Sequence, residues 1–361
     1  VFILGAGFGT VIMGVVSAAL GREDDVEIRR VTRMALWLSI GFSLLFYPVF
    51  WWAAPIMRAL GQEAALSQMV QDYLRIAGIG LLPALILMVL KSYLAAFERT
   101  QVVLWMTLGG VALNGALNYA LIFGNWGAPQ LGLAGAAIAS MAVQFASMAT
   151  LVLYAAWLPA LRHVSLFTRF WRPDWATLAR VLRLGLPVGL TGLAEGGLFQ
   201  ASALMMGWVG TAELAAHGIA LEITALTFMV HLGVSQAATV RVGRAFGAGD
   251  PLALKRAAMA AVLLSGVVAC AVIAAFLLIP ELLVRGFLDP SDPQAPQIVA
   301  LAVHLLLVAC LFEFMDAAQV VGQGLLRGIH DTHVPMWIAV ICYWVIGLPA
   351  SYVLAFPMGL G

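Results

Sequence analysis

Two carboxylates stand where the chain is otherwise apolar enough to cross a lipid bilayer. Glu195 lies near the middle of "LPVGLTGLAEGGLFQ" (186–200), and Asp316 lies in "LFEFMDAAQVVGQGLLRG" (311–328). A charged side chain at the centre of a bilayer costs about 2.5–3.5 kcal/mol on insertion scales, so an acid at that depth points to a bound cation, a proton, or a buried hydrogen bond. Helical spacing puts Glu195, Phe199, Ser202 and Met206 on one stripe, with Gly192, Gly196 and Gly197 thinning the helix and Pro187 placed to kink it. The same spacing aligns Phe312, Asp316, Gln319 and Gln323, which flanks the second acid with a ring and two amides and suits a cation. Glu313 points to another side of that helix, either for function or for a structural hydrogen bond.

Weaker candidates accompany these. Asn114 and Asn118, at i and i+4 in "LNGALNYAL", either tie helices together or bind ligand. Glu222 starts a further apolar run, and His231 and His304 fall within such runs, where a lone histidine is more often a packing or hydrogen-bonded residue. Met206 and Met315 suit helix packing, or an adaptable surface beside Phe199 and Phe312.

The elements that must position these residues are set by composition. Of 361 residues, 63% are hydrophobic and 10% charged, which excludes an ordinary soluble domain and indicates an all-α integral membrane protein. Continuous apolar runs without period-two alternation exclude a β-barrel. Breaks at polar residues, Pro and Gly predict ten helices, near 1–20, 31–55, 70–97, 101–124, 131–157, 181–209, 214–240, 255–288, 296–326 and 333–360. The opening "VFILGAGFGTVIMG" has no initiator Met or signal-peptide pattern and reads as the middle of a helix in a longer protein. A net charge of +1 argues against nucleic acid as a partner. Cys270, Cys310 and Cys342 lack metal-ligand spacing and read as small packing residues.

Lys and Arg alternate between connections. The odd connections hold Arg22, Arg29, Arg30 and Arg33; Lys91 and Arg99; Arg162, Arg169, Arg172, Arg180 and Arg183; Arg241, Arg244, Lys255 and Arg256; and Arg327. The even ones hold only Arg58, Arg75 and Arg285. The positive-inside rule makes the odd connections cytoplasmic, the longest of them (161–180) a cytoplasmic linker, and the inner (plasma) membrane the expected location. The linker separates an N-terminal lobe, 1–160, from a C-terminal lobe, 181–361. "ALGREDDVEIRRVTRMAL" (19–36) matches "AFGAGDPLALKRAAMAAV" (245–262) at an offset of 226, and "ERTQVVLWM" (98–106) matches "HDTHVPMWI" (330–338) at 232. About six helices separate matched points, so the expected plan is two pseudo-symmetric six-helix bundles in parallel repeat, with a first and a last helix beyond the ends of this chain.

Three tempting motifs fail on context. Asp250 of "GAGD" precedes Pro251 between basic residues and reads as a helix N-cap, which argues against an intramembrane protease. "GAGFG" (5–9) lies inside an apolar helix as a packing face, and "HDTH" (330–333) reads as a turn. With no Walker A lysine, nucleotide hydrolysis is not the expected energy source.

Taken together, "LGLPVGLTGLAEGGLF", "VGTAELAAHGIALEITALTFMVHLGVSQAATVRVGRAFGAGD", "NYALIFGNWGAPQLGLAGAAIAS" and "QVVGQGLLRGIHDT" resemble the multidrug and toxic compound extrusion (MATE) family, nearest its NorM-type branch. The resemblance runs the length of the chain and implies a twelve-helix antiporter, not an enzyme, that exports organic cations or drugs against Na⁺ or H⁺. It implies a C-lobe cation site at Glu195 and Asp316, with Na⁺ or H⁺ as coupling ion and no other metal or cofactor. It further implies an N-lobe polar site at Asn114 and Asn118; the faces that carry the two acids, with Glu222, make Phe199, Ser202, Glu222, Phe312, Gln319 and Gln323 the expected substrate cavity. The chain departs from the family pattern at Phe312, where some relatives carry Tyr, at Gly218, where Gln is common, and at Glu222, where Asn or Ser is frequent. Partners are small organic cations and membrane lipid, and a monomer is expected. The rivals are a lipid-linked oligosaccharide flippase, which needs a basic cavity, and an intramembrane hydrolase, which needs a catalytic pair with access to water.

Overall fold

A computed structural model describes residues 1–59, 61–158, 161, 163–288 and 294–358. Arg162, one of the predicted linker cations, lies outside the described residues. The described chain is helical, and ten stretches are long and apolar enough to span a membrane: Phe2–Gly21, Asp25–Trp51, Ala64–Ala96, Thr100–Phe123, Leu133–Trp157, Trp175–Val209, Thr211–Ala248, Pro251–Leu278, Ala295–Gly328 and His333–Ala355. Each corresponds to one of the ten predicted helices.

In chain order the helices are α1 (Phe2–Gly21), α2 (Asp25–Trp51), α3 (Ala53–Ala59), α4 (Ala64–Ala77), α5 (Leu81–Ala96), α6 (Thr100–Phe123), α7 (Leu133–Trp157), α8 (Trp175–Val209), α9 (Thr211–Ala248), α10 (Pro251–Leu278), α11 (Pro280–Arg285), α12 (Ala295–Gly328), α13 (His333–Val340) and α14 (Leu348–Ala355). A π-helical segment, Ile341–Gly347, joins the last two.

Several helices begin or end beyond the predicted limits because apolarity stops at the membrane surface while the hydrogen-bonded backbone continues. Arg29, Arg30 and Arg33 lie on α2, and Arg180 and Arg183 on α8, not in connections. Arg241 and Arg244 likewise extend α9. These charged ends find partners. The Arg33 guanidinium donates to the Arg169 carbonyl (2.9 Å), Trp37 Nε1 donates to the Phe170 carbonyl (3.0 Å), and Arg180 pairs with Glu27. Asp174 caps α8 by accepting from the Thr177 backbone N–H (3.1 Å), and that bond holds its carboxyl below the usual carboxylate range.

The chain folds as two compact units, Val1–Gly189 and Leu190–Gly361, so the division falls within α8. The first unit packs α1, α2, α5 and α7 around Ile12, Val16, Val31, Leu90 and Leu151. Its "GAGFG" stretch is a packing face, because a Cβ on Gly7 would meet the backbone of Gly185 and Gly189, and one on Gly9 would meet Met88. The second unit packs α9, α10, α11 and α12 around Ala216, Phe276, Val284, Ile298 and Leu306.

Each unit contains the same two turns. Asp24 N–H donates to Ala19 C=O and Asp250 N–H to Ala245 C=O, both at 3.0 Å and 226 residues apart, and each aspartate caps the helix that follows. Glu23 (φ 57°) and Gly249 (φ 68°) occupy the left-handed region at that same offset. At the offset of 232, Glu98 (φ 59°) corresponds to His330 (φ 66°), and Arg99 N–H to Leu94 C=O (2.9 Å) corresponds to Asp331 N–H to Leu326 C=O (2.9 Å). The sequence matches therefore mark repeated backbone geometry, including the "HDTH" turn.

A seam of small residues joins α9 to α12. Ser235 Oγ donates to the Val320 carbonyl (2.6 Å) and Thr239 Oγ1 to the Gly324 carbonyl (2.8 Å). A Cβ on Gly324 would collide with Ser235, including its carbonyl oxygen, and the backbone cannot yield as a flexible side chain would. Gly324→Leu is therefore expected to destabilise the protein by about 2–3 kcal/mol through overpacking, read as a lowered midpoint in thermal unfolding in detergent.

Candidate functional site

Glu195 sits on α8 as a half-buried side chain, immediately after Ala194, where the π-helical segment approaches. Trp344 Nε1 donates to the Ala194 carbonyl (3.1 Å), and its ring lies where a Cβ on Gly197 would come to 2.7 Å. Gly197 thus makes room for an indole that fixes the turn carrying Glu195. A π-helical turn is wider than an α-helical one and is frequently found at functional sites. Here it presents Trp344 to α8 and the neighbouring Tyr343 to α12.

Asp316, half-buried on α12, is within electrostatic reach of Glu195. One turn on, Gln319 Nε2 donates to the Tyr343 hydroxyl oxygen. That leaves the phenol O–H free to donate, and Tyr343 is in electrostatic reach of both Glu195 and Asp316. Tyr343 is a candidate-site residue that sequence reading did not select, because one tyrosine in an apolar run looks like packing. It supplies a hydroxyl where Phe312 has none. Tyr343→Phe keeps the ring and removes that hydroxyl, so cation affinity is expected to fall about three- to tenfold, the worth of one hydrogen bond, with unfolding unchanged. Binding titrations on the variant check this.

Arg327 closes the charge set. Its charge groups it with a connection in the sequence, but it lies in the last turn of α12, where Nη2 donates back to Gln323 Oε1. It interacts electrostatically with Glu195. Among the described residues, neither Glu195 nor Asp316 accepts a hydrogen bond or has a basic partner within 4.0 Å. Two acids and one guanidinium leave room for one further positive charge.

The remaining predicted residues are spread more widely. Gln323 is buried, Gln319 and Ser202 are half-buried, and Phe199 (44%), Phe312 (48%) and Glu222 are exposed. Asn118 Nδ2 donates to Asn114 Oδ1 (2.9 Å) along α6, so the two amides satisfy each other on one helix, and Asn118 Oδ1 accepts nothing among the described residues. They belong to the first unit, as does an apolar groove of about 260 Å³ whose lining includes Phe50, Leu81, Ser140 and Gln144 but no predicted site residue. Cys270 and Cys342 are exposed on their helices, so of the three cysteines only Cys310 is partly packed.

His231 and Glu313, considered separately from sequence, are partners. His231 Nε2 is 3.2 Å from Glu313 Oε1, and Nδ1 is 2.7 Å from Ser265 Oγ. The residue types match a nucleophile triad, but exposures of 3% (Ser265), 0% (His231) and 2% (Glu313) leave no surface for a substrate to reach.

The family model MatE matches residues 1–120 and 187–353. The chain is 42% identical over 361 residues to a protein named "Probable multidrug resistance protein NorM" from Rhizobium meliloti (strain 1021), covering 100% of this chain and 77% of that one. It is 36% identical over 341 residues to a protein of the same name from Pseudomonas putida, covering 94% and 74%. Among solved structures, a eukaryotic MATE transporter superposes with a TM-score of 0.84 at 18% identity, over 99% of this chain and 78% of that chain. An outward-facing multidrug resistance MATE family transporter gives 0.83 at 20% identity, over 98% and 77%. At those identities the structures speak for the fold, and the sequence relatives carry the assignment. The chain, a multi-pass membrane protein, belongs to the MATE family of transporters and is related to its NorM-named members.

Proposed function

We propose that this transporter is a secondary antiporter that exports organic, mostly cationic compounds in exchange for Na⁺ or H⁺, with Glu195 and Asp316 as the shared cation site. One observation carries the proposal: two carboxylates on spanning helices interact with each other and, among the described residues, lack a hydrogen-bonded or paired partner. Two such acids in a low-dielectric site cannot both stay charged without a counter-charge, which a proton, Na⁺ or an organic cation supplies. Competition among those ligands couples their fluxes when each binds the two access states with different affinity. Inward movement of one charge through 100 mV provides about 2.3 kcal/mol, enough for a roughly fiftyfold gradient of a neutral substrate.

In this reading the lobes are 1–160 and 181–361, the 161–180 linker is cytoplasmic, and the protein works as a monomer in the inner membrane with no cofactor besides its coupling ion. Gln319, Gln323, Phe199, Phe312, Ser202 and Glu222 belong to the substrate path, and Asn114 with Asn118 forms a polar site of the N-terminal lobe. The test is efflux of tetraphenylphosphonium from proteoliposomes holding the complete protein. An imposed Na⁺ or proton gradient is expected to accelerate efflux, and efflux indifferent to both gradients overturns antiport.

A further inference from the structure

We propose that the buried pair of His231 and Glu313 holds the proton that a cation arriving at Asp316 displaces. This rests on the reading that Asp316 binds cations, and it concerns where the exchanged proton resides.

The geometry brings three helices together on one buried point. His231 comes from α9, Glu313 from α12 and Ser265 from α10, and all three are buried. Glu313 and Asp316 are three residues apart on α12, and Asp316 interacts electrostatically with both Glu313 and His231. Among the described residues, the groups that interact with the pair are few. From α12 come Asp316 and Cys310, whose Sγ donates to the Leu306 carbonyl (3.4 Å) and which interacts with Glu313. From α10 comes the neutral Ser265 hydroxyl, and α9 contributes His231 itself.

Charge balance then dictates occupancy. With the charge of Glu195 offset by Arg327, the other two acids and the imidazole are neutral with two protons, or with one proton and one monovalent cation. In the first state Asp316 is ionised, Glu313 is protonated and His231 is an imidazolium. When the cation binds Asp316, the N–H bond at Nε2 breaks, its electron pair stays on the ring, and the proton leaves past Asp316 to water. The second state is the cation on Asp316 beside a neutral Glu313–His231 pair. One positive charge enters and one proton departs. Ser265 Oγ accepts from Nδ1–H in both states, which keeps Nε2, the nitrogen facing Glu313, as the exchanging position. A purely structural pair would keep one protonation state throughout.

The experiment uses the complete protein with ¹⁵N-labelled histidine in nanodiscs, titrated with tetraphenylphosphonium and separately with Na⁺. His231→Gln identifies the resonances. The His231 ring is expected to pass from imidazolium to neutral imidazole as either cation saturates the protein, and to stay unchanged in Asp316→Asn. Ring shifts that stay constant while an independent titration shows binding overturn the proposal. A second measurement does not depend on the His231 signal. His231→Asn with Glu313→Gln retains hydrogen-bonding groups without the proton store, and the pH midpoint of tetraphenylphosphonium binding is expected to move so that affinity at a fixed pH changes about tenfold. An unchanged pH profile in that variant overturns the proposal. If Asp316→Asn binds both cations as the parent does, the failure lies instead with Asp316 as the cation site.

Discussion

Replacing Glu195 by Gln together with Asp316 by Asn is expected to reduce gradient-driven efflux to the rate of protein-free vesicles while leaving the protein as stable as before, or more so. Both halves follow from the same observation. Neither acid makes a hydrogen bond or a salt bridge within the described chain, so the amides break no direct contact, and Arg327, which senses Glu195 only electrostatically, keeps its hydrogen bond to Gln323. Each carboxylate is also expensive at membrane depth, about 2.5–3.5 kcal/mol when charged, so neutralising it relieves a cost. The cation site disappears with the charges, and with it the competition that couples the two fluxes. A drop in the unfolding midpoint with efflux preserved would mean instead that the acids are structural. Efflux in proteoliposomes and thermal unfolding of the same preparation separate these outcomes.

Arg327→Gln is expected to tighten cation binding at Glu195 about tenfold and to slow turnover. Arg327 is a resident cation that Glu195 senses, and Gln323 anchors it by accepting a hydrogen bond from the guanidinium. Arg327 and Glu195 interact electrostatically without forming an ion pair within 4.0 Å, and unit charges beyond contact distance interact by on the order of 1–2 kcal/mol at an effective dielectric of about 20. Removing the guanidinium therefore lowers the opposition to an incoming cation by roughly the 1.4 kcal/mol that a tenfold change in affinity requires. A transporter must also let its cation go, and tighter holding slows release. The expected signature is a lower half-saturating concentration together with a lower maximal rate. Weaker binding in the variant would show that Arg327 positions Glu195 instead of opposing its ligand.

The spanning helices were legible because a bilayer writes length and apolarity directly into sequence. Their ends were less so: the charges of Arg29, Arg30, Arg180, Arg183, Arg241 and Arg244 read as connections, yet each lies on a helix. The internal repeat was visible as paired motifs, and its physical content is the pair of left-handed turn residues at each offset. Of the candidate site, the acids stood out by their cost. Their surroundings did not. Ser265 and Glu313 lie 34 and 82 residues after His231, so their contact is a product of helix packing. Tyr343 and Trp344 reach the site through a π-helical segment, for which the apolar run around them offers no periodic signal.

A shared cation site has a direct thermodynamic signature in substrate binding. Tetraphenylphosphonium titrated calorimetrically into the complete protein, over a series of Na⁺ concentrations at fixed pH and over a series of pH without Na⁺, reads it without transport. Apparent affinity is expected to fall in proportion to rising Na⁺ or rising H⁺ in at least one series, and that dependence is expected to vanish in the Glu195→Gln, Asp316→Asn variant. An affinity that stays constant across both series would contradict competition at these two carboxylates.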